Sequence, residues 1–367
     1  MKKAFFLLFC IAIIFSMGLL MVFNTTSAEV LDRSLTISTH FALIKQIIYA
    51  FIGAFIGVCC YFFGYRNFLR ITPFLFFLTI VFLILVFIPG IGHTINGARR
   101  WIGFFGYTLQ PSEFAKYILP IYALFLFLEK GIPDTFFLFV KRLGIFLVPL
   151  ALILFEPDNG TTVIILVVFI ALFILVKVRF SFWGLPVVLV IALGSVIAYN
   201  MPHVPDRIRV YLHPELDIKG KGHQPFQARI AAGSGGLVGK GFGQSLQKLD
   251  YLPEARNDYI AAIYAEEMGF IGIAFLIGLY MAIAYFGFSI SLSAMDREGF
   301  YLGAIMTFLI SFQAFLNLGI VSGLLPSKGT TLPFFSQGGT SLIVNIIAIS
   351  LLMSIAAVSA KEKKMVI

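Results

Sequence analysis

The run AFFLLFCIAIIFSMGLLMVF, residues 4–23, carries no charged side chain. As a helix rising about 1.5 Å per residue it is roughly 30 Å long, which is the thickness of the hydrocarbon core of a bilayer. Lys2 and Lys3 precede it, as basic residues precede a secretory leader. A leader's apolar region is only about 7–15 residues long, however, so the run is expected to be an uncleaved first span. Nine more runs follow, near residues 41–64, 71–91, 112–129, 143–156, 161–177, 184–200, 258–289, 301–322 and 342–359. Of the 367 residues, 59% are hydrophobic and 12% charged, against roughly 25% charged in soluble domains. The expected fold is an all-α polytopic membrane protein of about ten transmembrane helices, forming a single domain over residues 1–367. The fifth and sixth runs are separated only by EPDNGT (156–161) and should form a tight hairpin.

Orientation follows from the short connecting segments. With the N-terminus inside, the short cytoplasmic segments hold 13 cations, Lys2, Lys3, Arg66, Arg70, Lys141 and Arg142 among them, against four in the opposite short loops, Arg33, Arg99, Arg100 and Lys328. The eight in the long segment 201–257 are near the length at which such a count loses force. The positive-inside rule therefore places both termini in the cytoplasm. Between helices 7 and 8 lies a polar, Gly-rich segment, 201–257, expected to be a large ordered extracytoplasmic loop. The net charge of +9 reflects helix-flanking cations and anionic lipid partners and is not a nucleic-acid signal. Cys10, Cys59 and Cys60 sit in apolar runs without ligand spacing, and the five histidines are scattered without an H-x-x-x-H pair, so no protein metal site is expected.

Chemistry gathers where the eighth run begins, in KLDYLPEARNDYIAAIYAEEMGF (248–270). Asp250, Glu254 and Asp258 lead into a span that itself carries Glu266 and Glu267. An acid at a helix start is also favoured as a cap and by the helix dipole, so Asp258 alone does not decide the matter. Ionisable residues within a span cost about 2.5–3.5 kcal/mol on insertion scales, so they face a partner or a polar cavity. The expectation is an outward-facing acidic cavity. Cations lie at a similar depth: Lys45, Lys116, and the outer Arg99 and Arg100. Glu113 and Lys116 share a helix face at i, i+3, which suits either a local pair or a phosphate site. GLLPSKGTTLPFFSQGGTS (323–341) is too rich in Gly and Pro for a helix and is expected to be a re-entrant segment, with Lys328 its one charge. The phosphate-loop look of GSGGLVGKGFG (233–243) fails for want of a G-K-[ST] ending. Such a site suits a polar, anionic, membrane-anchored substrate.

Four stretches in order, NGARRWI…QPSEFAK, EPDNGTT, QARIAAGSGGLVGKGFGQSLQKLDYLPEARNDYIAAIYAEEMGFIG and GLLPSKGTTLPFFSQGGTSLIVN, resemble the shape, elongation, division and sporulation (SEDS) family of bacterial cell-wall polymerases. QKLDYLPEA and SKGTTLP look more like its division member than its elongation member. The resemblance implies a ten-helix peptidoglycan glycosyltransferase of the bacterial cytoplasmic membrane, acting on lipid II and a growing glycan strand at the septum. It also implies a class B penicillin-binding protein as transpeptidase partner, alongside other division proteins. The family's essential aspartate, in P-E-x-H-T-D-F, falls on Asp258, with Arg256 and Asn257 in place of its His-Thr. EPDNGT departs from its usual Q-P-D and carries Asn159 where an apolar residue is usual, and Gln337 stands where Tyr is usual. The family's Q-P-S-E-x-x-K lysine falls on Lys116. Asp258 is then the catalytic base. Lys116, Arg99, Arg100 and Lys328 are the cations expected at the leaving pyrophosphate, with Glu113, Glu266, Glu267 and Gln337 as further substrate-facing residues. A divalent cation, Mg or Mn, could share that work. A lipid II flippase or a non-enzymatic division scaffold are the competing readings of the same charged cavity.

Overall fold

The computed structural model describes residues 2–33, 39–95, 97–104, 106–200, 211, 222–248, 256–326 and 329–366. Helices α1 (Lys2–Arg33), α2 (Phe41–Phe63) and α3 (Tyr65–Leu85) lead into a small antiparallel sheet, β1 (Gly92–Ile95), β2 (Ala98–Phe104) and β3 (Tyr107–Leu109), in the order β1-β2-β3. Then come α4 (Pro111–Lys130), α5 (Phe136–Leu143), a 3₁₀ turn (Gly144–Phe146), α6 (Leu147–Phe155), α7 (Asn159–Leu175) and α8 (Phe180–Asn200). The chain closes with α9 (His223–Ser234), α10 (Ile260–Ser291), α11 (Arg297–Val321) and α12 (Gly339–Val366). Eight stretches are long and apolar enough to cross a membrane, α5 and α6 counting as one, and α7 and α8 are shorter apolar helices. Among the described residues eight are thus of spanning length where ten spans were expected, and α7 and α8 stand at the places of the other two.

The bundle is apolar outside and partly polar within. Phe51, Phe55 and Phe62 of α2 lie 72%, 73% and 80% exposed, whereas Gln46 on the same helix is buried. In lipid the exterior must be apolar, so interior positions are where polar groups can be satisfied by one another. Small residues let backbones approach: the G-x-x-x-G pair Gly53 and Gly57 of α2 packs on Ile343, Ile346 and Ser350 of α12, and a Cβ on Gly53 would lie 2.9 Å from Ile346 Cδ1.

Both chain ends meet at one end of the bundle. Lys3 Nζ donates to Ser293 Oγ at 3.1 Å, and Arg66 bridges Asp296 at 2.8 Å and Glu362 at 2.9 Å. Asp296 also caps α11 by accepting from the Gly299 N–H at 2.9 Å. Burial pushes its carboxyl up, but the Gly299 N–H, Arg66 and Tyr65 together hold it below the ordinary aspartate value.

At the other end the outer loop that carries Arg99 and Arg100 folds as the small sheet, which the apolar-run reading did not anticipate. Its turns rest on Gly97 and Gly106, at φ of 74° and 80°. It is fastened to α2 through Tyr49, whose hydroxyl donates to Thr108 O and accepts from Thr108 N at 3.0 and 3.1 Å. Lys45, one of the cations noted at the depth of the expected cavity, donates to Gly106 O at 2.9 Å and so holds the second of those turns.

Candidate active site

Asp258 precedes α10, half-buried, with Tyr259 at the N-cap position. It lies against the non-helical stretch 329–338, where Leu332, Phe334 and Phe335 are almost completely buried. This is the re-entrant segment read from its Gly and Pro content. Non-helical backbone at such depth requires partners for its carbonyls, and the interior supplies them from several helices. Gln46 Nε2 donates to Ser336 O at 3.2 Å, Tyr280 OH to Pro333 O at 2.6 Å, Gln313 Nε2 to Thr331 O at 3.0 Å and Asn317 Nδ2 to Thr330 O at 2.6 Å. The same Asn317 amide donates to Asp258 O at 2.8 Å, so one side chain ties the head of α10 to the re-entrant segment. Gly329 lies beside the carboxylate: a Cβ there would be 3.0 Å from Asp258 Oδ2.

Gln313 and Asn317 were missed by sequence reasoning. Their signal was present: two amides at i, i+4 in an otherwise apolar helix lie on one face. Both are about 1% exposed. Around Asp258, Asn317 Oδ1, Thr330 Oγ1 and Gln337 Oε1 are buried without a hydrogen-bond partner in the protein. Gln337 reaches this cluster through its backbone, donating to Arg256 O at 3.1 Å. Buried polar atoms are normally satisfied, so a cluster of exceptions marks a place where something else supplies the bonds.

Lys116 is 1% exposed. Its Nζ lies 2.7 Å from Glu113 Oε2 and donates to Gln313 Oε1 at 3.0 Å. Both readings of the i, i+3 spacing were open; the structure has the local pair, extended through Gln313 to Thr331. Thr331 Oγ1 in turn lies 2.9 Å from Ser341 Oγ at the start of α12. Lys116 and Glu113 thus underpin the re-entrant segment from behind and do not open onto the surface of the site.

Arg99 and Arg100 diverge because successive residues of a strand point to opposite faces. Arg99 donates to Ile88 O at 2.9 Å. Arg100 clamps the EPD turn, donating to Glu156 O at 3.0 Å and Pro157 O at 2.6 Å, with Asp158 Oδ1 at 3.8 Å. Asp158 caps α7 through Thr161 N at 3.2 Å and accepts from Ser112 Oγ at 3.0 Å and Gln110 Nε2 at 3.2 Å at the head of α4. The two arginines, expected as a phosphate-facing pair, are both engaged with protein carbonyls.

The acidic cavity expected from Glu266 and Glu267 is corrected as well. Both are wholly buried, and both are paired with cations of the preceding Gly-rich segment: Glu266 with Lys240 at 2.6 Å, Glu267 with Lys248 at 2.9 Å. Glu266 also receives the Ser245 hydroxyl, and Glu267 receives Asn24 Nδ2 of α1 at 2.6 Å. The segment runs along α10 at its break, Gly269, where φ is 65° and ψ is −165°. There Gly236 O and Leu237 O accept from the N–H groups of Phe270 and Ile271, which the break leaves without helical partners. The two glutamates staple an extramembrane segment to α1 and α10; their carboxylates are taken up by protein. Lys328, with Asp250 and Glu254, lies outside the described residues. Among the described residues no three His, Cys, Asp or Glu side chains converge as a metal cage.

A model of the cell cycle protein family that groups FtsW, RodA and SpoVE matches residues 4–361. The chain belongs to this family. Among its relatives are a probable peptidoglycan glycosyltransferase FtsW of Trichlorobacter lovleyi, 33% identical over 96% of this chain and 92% of the relative, and one of Legionella pneumophila, 36% identical over 92% and 86%. Stage V sporulation protein E of Bacillus subtilis is 35% identical over 95% of both chains. In fold, the family member described here resembles a chain of a peptidoglycan synthase complex that coordinates polymerization and crosslinking, with a TM-score of 0.76, 22% identity and coverage of 96% and 97%. It also resembles RodA of Thermus thermophilus, with a TM-score of 0.68, 23% identity and coverage of 96% and 95%.

Proposed function

We propose that this multi-pass membrane protein is a peptidoglycan glycosyltransferase that polymerises lipid II into β-1,4-linked glycan at the outer face of the bacterial cytoplasmic membrane, for septal wall synthesis. The observation that carries the reading is the convergence on Asp258: a half-buried carboxylate, pinned through Asn317 to a buried re-entrant segment, among polar atoms that protein does not satisfy.

In this reading Asp258 takes the proton from the 4-hydroxyl of the acceptor GlcNAc. The freed oxygen forms a bond to C1 of the donor MurNAc as the bond from C1 to the pyrophosphate oxygen breaks, with inversion at C1. The proton rests on Asp258 and the electron pair leaves with undecaprenyl pyrophosphate. A positioned base of this kind contributes about 10²–10⁴-fold. Gln313 and Asn317 hold the re-entrant segment against Asp258, and the Lys116–Glu113 pair supports Gln313 from behind. In the described conformation Lys116, Arg99 and Arg100 act on protein groups, so they shape the site and the pyrophosphate is met elsewhere. A divalent cation, Mg or Mn, has no cage of three His, Cys, Asp or Glu side chains among the described residues.

The transpeptidase partner is a class B penicillin-binding protein. An apolar cavity of about 620 Å³ on the flank of α10 and α11, lined by Gly233, Gly236, Gly269, Phe270 and Phe315 among others, has the small-residue lining that lets a single transmembrane helix pack closely.

The test is purified protein with that partner and labelled lipid II, wild type against Asp258→Asn. A glycan ladder from the wild type, reduced at least about a hundredfold in the folded variant, supports both activity and base. Movement of lipid II across vesicles with no polymer would replace the polymerase reading by transport, and equal ladders would remove Asp258 from the mechanism.

A further inference from the structure

The side chain of Glu156, in the EPD turn, has no part in the mechanism above. It is 0% exposed, and neither carboxyl oxygen has a hydrogen-bond partner in the protein. The charged groups facing it among the described residues are Asp158, from its own turn, and Arg100, from β2. The other side chains that grip the turn, Gln110 and Ser112 of the α4 head, are uncharged. One guanidinium therefore stands beside two carboxyl groups, and its N–H groups are spent on Glu156 O and Pro157 O, with Asp158 alongside.

What this turn holds makes the balance consequential. Asp158 fixes Gln110 and Ser112, one turn before Glu113 and Lys116, and the Gln110 N–H donates to Thr340 Oγ1 at 3.0 Å, at the head of α12 where the re-entrant segment ends. The turn thus fastens the head of α4 and, through Gln110, the head of α12, at which the segment bearing Gly329 and Thr331 ends.

Resting on the polymerase reading above, we propose that Glu156 is a positioning residue for glycosyl transfer: with no second charge beside Asp158, Arg100 stays on the carbonyls of the turn, and Asp158 stays on the head of α4. Burial is the main reason the side chain carries no charge; it drives the carboxyl up to about 8, with Asp158 adding to the effect and Arg100 opposing it. Ionisation would place a buried carboxylate in competition for Arg100, drawing it from the turn and slackening the α4 and α12 heads. Glutamine is the neutral isostere that cannot ionise.

The experiment compares wild type with Glu156→Gln, each with its penicillin-binding partner and labelled lipid II, from pH 6.5 to 9.5. Between pH 7 and 9 a group titrating near 8 loses about tenfold of its protonated form. Wild-type turnover should fall by about that factor through kcat, while the variant, active at pH 7, changes by less than about twofold. Superimposable alkaline limbs would overturn the proposal. So would a folded Glu156→Gln protein inactive at pH 7, because the proton itself would then be needed. Two readouts are independent of turnover. The thermal midpoint of the wild type should drop relative to the variant over the same range, and the protonated-carboxyl infrared band of the wild type, absent in the variant, should vanish with a midpoint near pH 8. If neither protein makes polymer, the polymerase reading fails, and these two measurements still decide the state of Glu156; a wild type lacking both effects overturns the proposal.

Discussion

Replacing Lys116 by Met should destabilise the protein more than replacing both members of its pair. The Lys116 side chain is 2% exposed, that of Glu113 11%, and they lie 2.7 Å apart inside the bundle. Removing one partner of a buried pair strands the other charge, at about 3–5 kcal/mol. Lys116→Met leaves the Glu113 carboxylate without its cation and leaves Gln313 Oε1 without its donor. In the double variant Lys116→Met, Glu113→Gln no charge remains to be stranded, and the residual loss is the orphaned Gln313 acceptor, about 1–3 kcal/mol. The cycle should therefore show a coupling of about 2 kcal/mol or more, the double variant standing closer to wild type than Lys116→Met does. The measurement is reversible unfolding in mixed micelles under increasing SDS, with glycan synthesis recorded on the same preparations. Turnover should stay below wild type in both variants, since Gln313, and through it Thr331, loses its support in each. Additive losses, or a double variant no more stable than the single, would refute the claim that Glu113 and Lys116 neutralise each other in the resting protein.

Other outcomes follow from single features. Gly269→Ala puts a Cβ at a left-handed φ of 65° against the Gly239 backbone nitrogen; about 1–3 kcal/mol of strain should loosen the 235–248 segment and speed its proteolysis, and unchanged cleavage would remove the staple from the account. Asp296→Asn should cost stability at neutral pH. Because the folded carboxyl lies below its ordinary value, its contribution is present above the unfolded value of about 3.9 and is lost as pH falls through the lower folded one. The gap in thermal midpoint between wild type and variant should therefore close on acidification; a gap that is flat with pH would show that Asp296 acts by shape alone.

The spans were legible because a run of apolar residues long enough to cross a bilayer is a property of composition. Acids gathered at the start of a span drew attention to Asp258, and it was the family resemblance that singled it out among them. The demand that buried Glu266 and Glu267 find partners was sound, but insertion cost does not say whether the partner is substrate or protein. Lys240 and Lys248 lie in a stretch whose glycines read as loop, and only tertiary folding brings that stretch back along α10. Arg99 and Arg100 read as a pair because they are adjacent in sequence, and they separate because the loop is a strand, on which neighbours point apart. Gln313 and Asn317 were hidden by the opposite habit: isolated amides in a long apolar run look incidental until the carbonyls they serve are known.

The kind of atom left unsatisfied around Asp258 narrows what can sit there. Asn317 spends its amide N–H groups on Asp258 O and Thr330 O, so the atom that remains is fixed as its carbonyl oxygen, an acceptor. Gln337 Oε1 is a second carbonyl acceptor and Thr330 Oγ1 a hydroxyl. Acceptors beside a carboxylate repel an anion and welcome O–H donors. A sugar face rich in hydroxyl groups satisfies all three; a pyrophosphate, with oxygens that only accept, satisfies the Thr330 hydroxyl alone. On the mechanism proposed above, these acceptors favour the acceptor sugar at Asp258, with its hydroxyl delivered to the carboxylate. The same mechanism, being inverting, puts the donor's pyrophosphate on the far side of C1 from the attacking hydroxyl.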